Sequence, residues 1–430
     1  MTETEDSFLH LTDIPDRTPL VSVTGADDMH AALAGLQARW GMVAPVDLEP
    51  GVPGWLVLGH REICDVMRNE GLFSRDPRNW RWNYERLLPA GSSLRSMLSP
   101  GRRAAYYEDG PEHRRLRAPL DDAFGSLDEP RTAAMVREIC EGLIGQFGPR
   151  GRADLISEYA IAVSFLSVAG MFGFREKDGL ALLRCVGEIF GHGGDPETGL
   201  AEMDRIVLDH VRERRARPTE DLTTVLAAHP AFEEDEEVVH SLVVAICAAN
   251  EMLVSWIAAT LRLIMTDPRY TGRVSGPRRG LDDALDETLW REPPIANLPA
   301  RFALTDCELG GRVVREGDAL VMGVAAANAD PRVHTEDEWF ETGNRSHVSF
   351  GVGPHACPAP RAGRLIVKIA VESLVQRLDL RLAGPDVTWA PSPWSRYPAA
   401  MPVVFTPTTG AAAHGRRRVP REPASSIGGA

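Results

Sequence analysis

The chain has 430 residues, 43% hydrophobic and 25% charged, which is enough apolar material for a sizeable core. Its formal net charge of −14 argues against non-specific nucleic-acid binding. Six widely spaced cysteines (Cys64, Cys140, Cys185, Cys247, Cys307 and Cys357) with no C-x-x-C pair suit reduced thiols rather than a disulfide framework, and no second cysteine or histidine pair has zinc-ligand spacing.

Residues 1–20 are polar and acidic and read as a flexible lead-in, with neither the basic nor the apolar region of a signal peptide. Gly41–Leu48 and Gly54–Gly59 have the alternation of short strands, joined by a Glu-Pro-Gly-Val-Pro turn, and His60–Glu70 has helical spacing. From Phe73 to Tyr107 the chain is irregular and rich in arginine and aromatics. Trp80, Trp82 and Tyr84 suit loop packing and ligand contact about equally. Asp109-Gly-Pro-Glu-His113 opens a helix with proline in its first turn. Its His113 and Arg117 are four apart and share a face, so they could meet one anion or simply form a solvated basic face.

Ala153–Phe174, Glu176–His192 and Pro196–Arg217 read as helices. The acidic run Glu233–Glu237 then complements the dipole of a long helix from Asp235 to Thr266. Its apolar stretch is broken by Asn250, Glu251 and Arg262, which disfavours a bilayer span. Cys307 to Gly317 reads as a hairpin turning at Gly310-Gly311. The end of the chain, from 407, is a short basic tail expected to be disordered.

The most informative stretch is Phe350-Gly-Val-Gly-Pro-His-Ala-Cys357-Pro-Ala-Pro-Arg361. Gly351 and Gly353 permit a tight turn, and Pro354 and Pro358 stiffen it on either side of the sulfur. A helix pattern begins just beyond Cys357, so backbone N–H groups and a positive dipole end would favour thiolate. A rigid, shielded, anionic sulfur at such a junction is what an axial haem thiolate requires.

The string resembles the haem loop of the cytochrome P450 family, with Ala359 where glycine is usual. The resemblance runs from about Gly41 to Thr406. It implies a mainly α protein with small β-sheets, one large domain over residues 21–406 that binds haem b with Cys357 as the iron ligand. Phe350 and Gly351 then belong to the haem loop, and His113, Arg117, Arg301, His347 and His355 fall where the family places propionate donors. Arg114 and Arg115 turn toward the surface where a ferredoxin could dock.

Ala248-Ala249-Asn250-Glu251-Met252-Leu253 aligns with the oxygen-activation segment Ala-Gly-x-acid-Thr-Thr. Glu251 keeps the acid, but Met252 replaces the threonine, and a thioether is a poor hydrogen-bonding partner. Ser255, three residues on, is the candidate substitute. Glu287-Thr-Leu-Trp290 stands where the family has Glu-x-x-Arg. Since each residue turns a helix by about 100°, Arg291 is expected not to take over the arginine's face, and Arg345 is the expected partner of Glu287. This tryptophan variant resembles some actinobacterial members. Trp82, Val244, Ala248, Ala249, Ile295, Asn297 and Trp394 are the substrate-pocket candidates, with Trp394–Arg396 as a hairpin tip at the pocket.

The resemblance implies a cytoplasmic monomer without membrane or nucleic-acid partners, taking electrons from ferredoxin and ferredoxin reductase. It would oxidise a small secondary metabolite with O₂, by hydroxylation or by oxidative C–C/C–N coupling of aromatic or cyclic-dipeptide substrates. Loss of both the threonine and the Glu-x-x-Arg arginine motivates a competing class, a haem-binding sensor or a degenerate paralogue.

Overall fold

The computed structural model describes residues 10–191, 193–271, 280–333, 344–384 and 387–408. The basic tail from 409 onward and residues 1–9 lie outside the described residues. Strands β1 (Thr18–Pro19), β2 (Val43–Glu49), β3 (Val52–Val57) and β4 (Phe73–Ser74) come early, and β5 (Arg152–Asp154) follows alone. A later group is β6 (Leu298–Ala303), β7 (Cys307–Leu309), β8 (Arg312–Val314) and β9 (Ala319–Met322), before β10 (Arg381–Leu382) and β11 (Pro402–Val404). They form a six-stranded sheet in the order β1-β2-β3-β9-β6-β4, a three-stranded sheet β10-β11-β5, and the β7-β8 hairpin. Among the described residues the long elements are helices, so the chain is mainly α with small sheets.

The β7-β8 hairpin turns at Gly310 (φ 56°) and Gly311 (φ 78°), the left-handed pair that matches the twist of the flanking strands. The loose lead-in is corrected over its second half. Leu11 and Ile14 are buried, and Thr18 and Pro19 pair in parallel with Val46 and Asp47, so this segment covers the sheet's edge.

The central helix runs Asp235–Thr266, with Asp235, Glu236 and Glu237 in its first turn. These acids face the positive dipole end, and Asp267 terminates the helix just before Pro268. It is long and apolar enough to cross a membrane, but most of it is buried in the protein, as a core helix would be. Of the stretch expected to be helical from Ala153, the first residues instead pair as β5 with β11, and Ile156–Ala160 is a π-helical turn before the helix Ile161–Met171.

Two hydrophobic cores result. One packs the central helix against Glu129–Phe147, Ile161–Met171 and Pro360–Arg377, while the other joins the six-stranded sheet to the helices around it. Burying apolar surface at about 25 cal/mol per Å² is the main force holding each core. The cavity described next lies at their seam, lined by Leu120, Val168 and Ile366 from the first and by Met67, Met322 and Val348 from the second.

Candidate active site

Cys357 sits where the loop 350–359 meets the helix Pro360–Arg377, whose first position is proline. The loop closes on itself. Gly351 N–H donates to Val348 O (2.8 Å), Cys357 N–H to Phe350 O (2.8 Å) and Ala356 N–H to Gly353 O (3.1 Å). Gly353 has φ 74°, and a Cβ there would stand 2.7 Å from Met67 O, so only glycine fits. Beneath the loop, Phe350 meets Trp256 of the central helix edge-on at 5.8 Å.

The Sγ of Cys357 accepts from Ala359 N–H at 3.4 Å. Burial nonetheless raises the thiol's pKa, outweighing that N–H and the Arg117 charge, both of which lower it. The local groups expected to favour thiolate do act in that direction, but burial outweighs them. The dipole and one N–H do not offset desolvation, and an anion here needs a cation on the cavity side, as a coordinated metal supplies.

The sulfur opens onto a cavity in which the centre of a water-sized sphere ranges over about 300 Å³. At one end converge Arg75, His113, Arg117, Arg301 and His355. Arg301, on β6, is 2% exposed, and both its Nη atoms lack hydrogen-bond partners. Its nearest carboxylate is Asp109, at 3.6 Å. Burial, with Arg75 close by, pulls its pKa down to about 9. His113 and His355 stack with ring centres 4.0 Å apart. Burial first, then neighbouring cations, lower them to about 4 and about 3, so both rings are neutral at pH 7. Neither His113 nitrogen has a hydrogen-bond partner. His355 Nε2 lies 3.1 Å from Glu70 and 3.4 Å from Asp109 but forms a well-directed hydrogen bond with neither.

Buried donors left unmatched on one cavity wall carry a desolvation cost that an anion would remove. A group with two carboxylates at one edge and a metal facing the sulfur fits this donor set, which is what haem b offers.

The central helix forms the opposite wall through Ser241, Val244, Ala245, Ala248, Ala249 and Met252. Of the pocket candidates, Val244, Ala248, Ala249 and Ile295 line the cavity, whereas Trp82, Asn297 and Trp394 do not. Trp82 packs against the sheet core. Asn297 donates through Nδ2 to Pro393 O and through its N–H to Trp394 O, so both residues serve to lock the hairpin 388–399 in place. That hairpin does not tip into the pocket. Ser392 and Ser395 donate to Glu251, while Arg396 stacks on Trp389 and binds the carbonyls of Thr24, Ala26 and Asp27.

Glu251 thus faces the two serines rather than the cavity. Ser255 is corrected as well. Its hydroxyl donates to Arg396 O at 2.9 Å, about 60° round the helix from Met252, so it is committed to the 388–399 hairpin and does not line the cavity. His347 is also off the cavity, edge-on to Trp290 at 5.4 Å and tilted against Phe350 at 5.8 Å.

Glu287 accepts from Tyr270 (2.6 Å), Arg269 (2.5 Å) and Arg291 (2.9 Å), not from Arg345. The geometric objection to Arg291 fails because an i,i+4 step turns about 400°, leaving the two side chains within about 40° of one face. Trp290 donates Nε1–H to Asn344 O at 3.1 Å. Arg115 is corrected too. It binds Glu112, Glu237 and Ala231 O, which leaves exposed Arg114 as the outward cation.

The sequence reading missed Arg75, Tyr106 and Ser241. Arg75 lies 3.8 Å above the Tyr106 ring and binds the Pro299 and Ala300 carbonyls. A single arginine in an arginine-rich loop carries no spacing signal, so nothing local marked it.

No family model matches the chain. It is 28% identical over 392 residues to nocardicin C N-oxygenase of Nocardia uniformis subsp. tsuyamanensis, covering 88% of this chain and 96% of that protein. It is 27% identical to the cytochrome P450 monooxygenase PikC of Streptomyces venezuelae, covering 88% and 91%. Among solved structures, CYP154C4 from Streptomyces sp. ATCC 11861 superposes with a TM-score of 0.82 at 26% identity, over 91% of this chain and 99% of that one.

Proposed function

We propose that this chain, an oxidoreductase of the cytochrome P450 monooxygenase type, oxidises a small secondary metabolite held between the central helix and the Cys357 loop. One observation carries the reading: Cys357 faces a mostly apolar cavity that Arg75, His113, Arg117, Arg301 and His355 also line, with both Arg301 Nη atoms and the His113 nitrogens buried and without hydrogen-bond partners.

A haem bound there supplies oxygen activation and the oxidising equivalents for attack on the substrate. Cys357 Sγ would hold the iron. Arg301, His113, His355 and Arg117 would hold the two carboxylates, and Arg75 adds a fifth donor. Ala248 and Ala249 leave room for substrate, and the apolar side chains beside them exclude water. Met252 offers the cavity no hydroxyl. Glu251 holds its proton-accepting oxygen against Ser392 and Ser395 instead.

Hydroxylation is the first reading of the chemistry, supported by the N-oxygenase and monooxygenase relatives. Oxidative C–C or C–N coupling of aromatic or cyclic-dipeptide substrates is the second, favoured by Met252 on the cavity wall. Turnover under labelled O₂ separates them, since label in the product excludes coupling as the sole outcome. The scarcity of polar groups on the helix wall favours an aromatic substrate over a cyclic dipeptide, whose two amides would go unpaired.

Electrons would come from a ferredoxin and its reductase, with exposed Arg114 as a docking contact, and the enzyme would act as a cytoplasmic monomer. The degenerate-paralogue class loses one of its two motives, because Glu287 keeps its cationic partners. Titrating the ferric protein with a panel of aromatic metabolites and watching the Soret band tests the reading. A saturable spin-state shift supports it, and no shift across a broad panel, with haem bound, opposes it.

A further inference from the structure

Apart from Cys357 and Trp256, whose Nε1–H donates to Leu285 O, the polar groups on the cavity wall fall into three sets. The cations converge at the anion-binding end already described. Tyr106 and Ser349 are engaged, the first donating to Pro299 O and the second to Leu289 O while accepting from Asn328. That leaves Ser241, which is 1% exposed, lines the cavity and has no hydrogen-bond partner for its Oγ. A helical serine ordinarily satisfies itself on the carbonyl four residues back, and here that bond is not made. Ser164 and Ser167 are also buried without partners, but neither faces this cavity. The cavity is therefore what distinguishes Ser241.

Its position along the helix gives the ligand a shape. Ser241 and Ala248 are seven residues apart, two turns on one face and about 10 Å along the axis. Met252 lies about 16 Å away, and Trp256 beyond it packs on Phe350 of the Cys357 loop. The wall between is Val244, Ala245, Ala248 and Ala249. Ser241 thus marks the end of the cavity remote from the sulfur.

We infer that Ser241 sets substrate specificity, its hydroxyl anchoring the one hydroxyl or carbonyl of a long, otherwise apolar molecule whose opposite end is oxidised near Cys357. This deepens the functional reading above and rests on it. A hydrogen bond in a dry cavity discriminates strongly, because a ligand lacking the matching group leaves the hydroxyl buried and unpaired.

The test uses 1-dodecanol and dodecane as probes, with dissociation constants measured by equilibrium dialysis against the haem-loaded protein. Ser241→Ala should weaken dodecanol about tenfold, ~1.4 kcal/mol, and leave dodecane unchanged. Ser241→Thr, which keeps the hydroxyl, should bind dodecanol like the parent, and Ser241→Val, its isostere, should not. Equal dodecanol affinity in all four proteins overturns the inference, as does a parallel loss for both probes. Failure of dodecanol to bind the parent at all overturns it too. The carbon monoxide spectrum of the same samples, reduced, keeps the two claims apart. Without a thiolate-type band the functional reading falls, and with that band and a flat Ser241 series only this inference falls.

Discussion

At the scale of single residues, the buried carboxylate of Glu287 is the sharpest case. It holds Arg269, Tyr270 and Arg291 together at 2% exposure. Glu287→Ala would strand buried partners and should cost about 3 kcal/mol or more, read from denaturant unfolding. Arg291→Ala removes a partner that is 47% exposed, so it should cost under about 1 kcal/mol. Equal losses for the two would show that Arg291 carries the site. Met252→Thr is the second case. Returning a hydroxyl to the cavity wall should lower hydrogen peroxide released per electron consumed, and an unchanged ratio would show that Met252 does not limit coupling. The Glu287–Arg291 pair lies in the sequence as an i,i+4 step, yet comparing Arg291 with the face of position 290 rather than with Glu287 pointed to Arg345 instead. Arg269 was not legible, since its approach depends on the chain reversal after the central helix rather than on any helical spacing.

Among the elements, the loop 99–107 forms part of the cavity wall through Ala104, Ala105 and Tyr106. It is pinned from outside. Arg102 makes two 2.9 Å bonds to Asp204, and Arg103 pairs with Glu237 at the start of the central helix. Arg103 N–H also donates to His240 Nδ1 at 3.0 Å, which requires that nitrogen unprotonated. Burial, then the Arg102 charge, lowers His240 to about 4 against an opposing Asp204, and Glu236 lies 3.8 Å from its other nitrogen. A histidine depressed on folding stabilises the fold fully above its unfolded pKa near 6.5, and that contribution fades as pH falls toward 4. Hydrogen exchange, corrected for its intrinsic pH dependence, should show the loop's amides losing protection across that window. Equal protection at pH 7 and pH 4.5 would mean the His240 bond does not hold the loop.

Legibility at this scale followed locality. The central helix could be bounded because its acidic start and the Asp267-Pro268 stop are both local signals. Strand β5 could not, since its partner β11 lies about 250 residues away and no nearby pattern announces the pairing. The hairpin 388–399 was visible as a hairpin, but its direction was not. Glu251 draws it onto the back of the central helix through Ser392 and Ser395.

For the whole molecule, function depends on a seam. Two cores meet without filling the space between them, and the chain lines that space with one thiol, a cluster of arginines and neutral histidines, and a mostly apolar helix face. The sulfur loop was readable from a dozen residues because its glycines and prolines act locally. The cluster of arginines and histidines on the cavity wall was readable only in part: His113, Arg117, Arg301 and His355 came from resemblance, while Arg75 needed the fold to bring it round.

The account stands on Cys357 acting as an iron-bound thiolate, and the absorption spectrum of the reduced protein under carbon monoxide tests that most directly. The parent protein should give the strongly red-shifted Soret band of thiolate-ligated haem, and Cys357→Ala should lose that band. A parent spectrum of the kind given by histidine-ligated haem, or one unchanged by Cys357→Ala, would contradict the account.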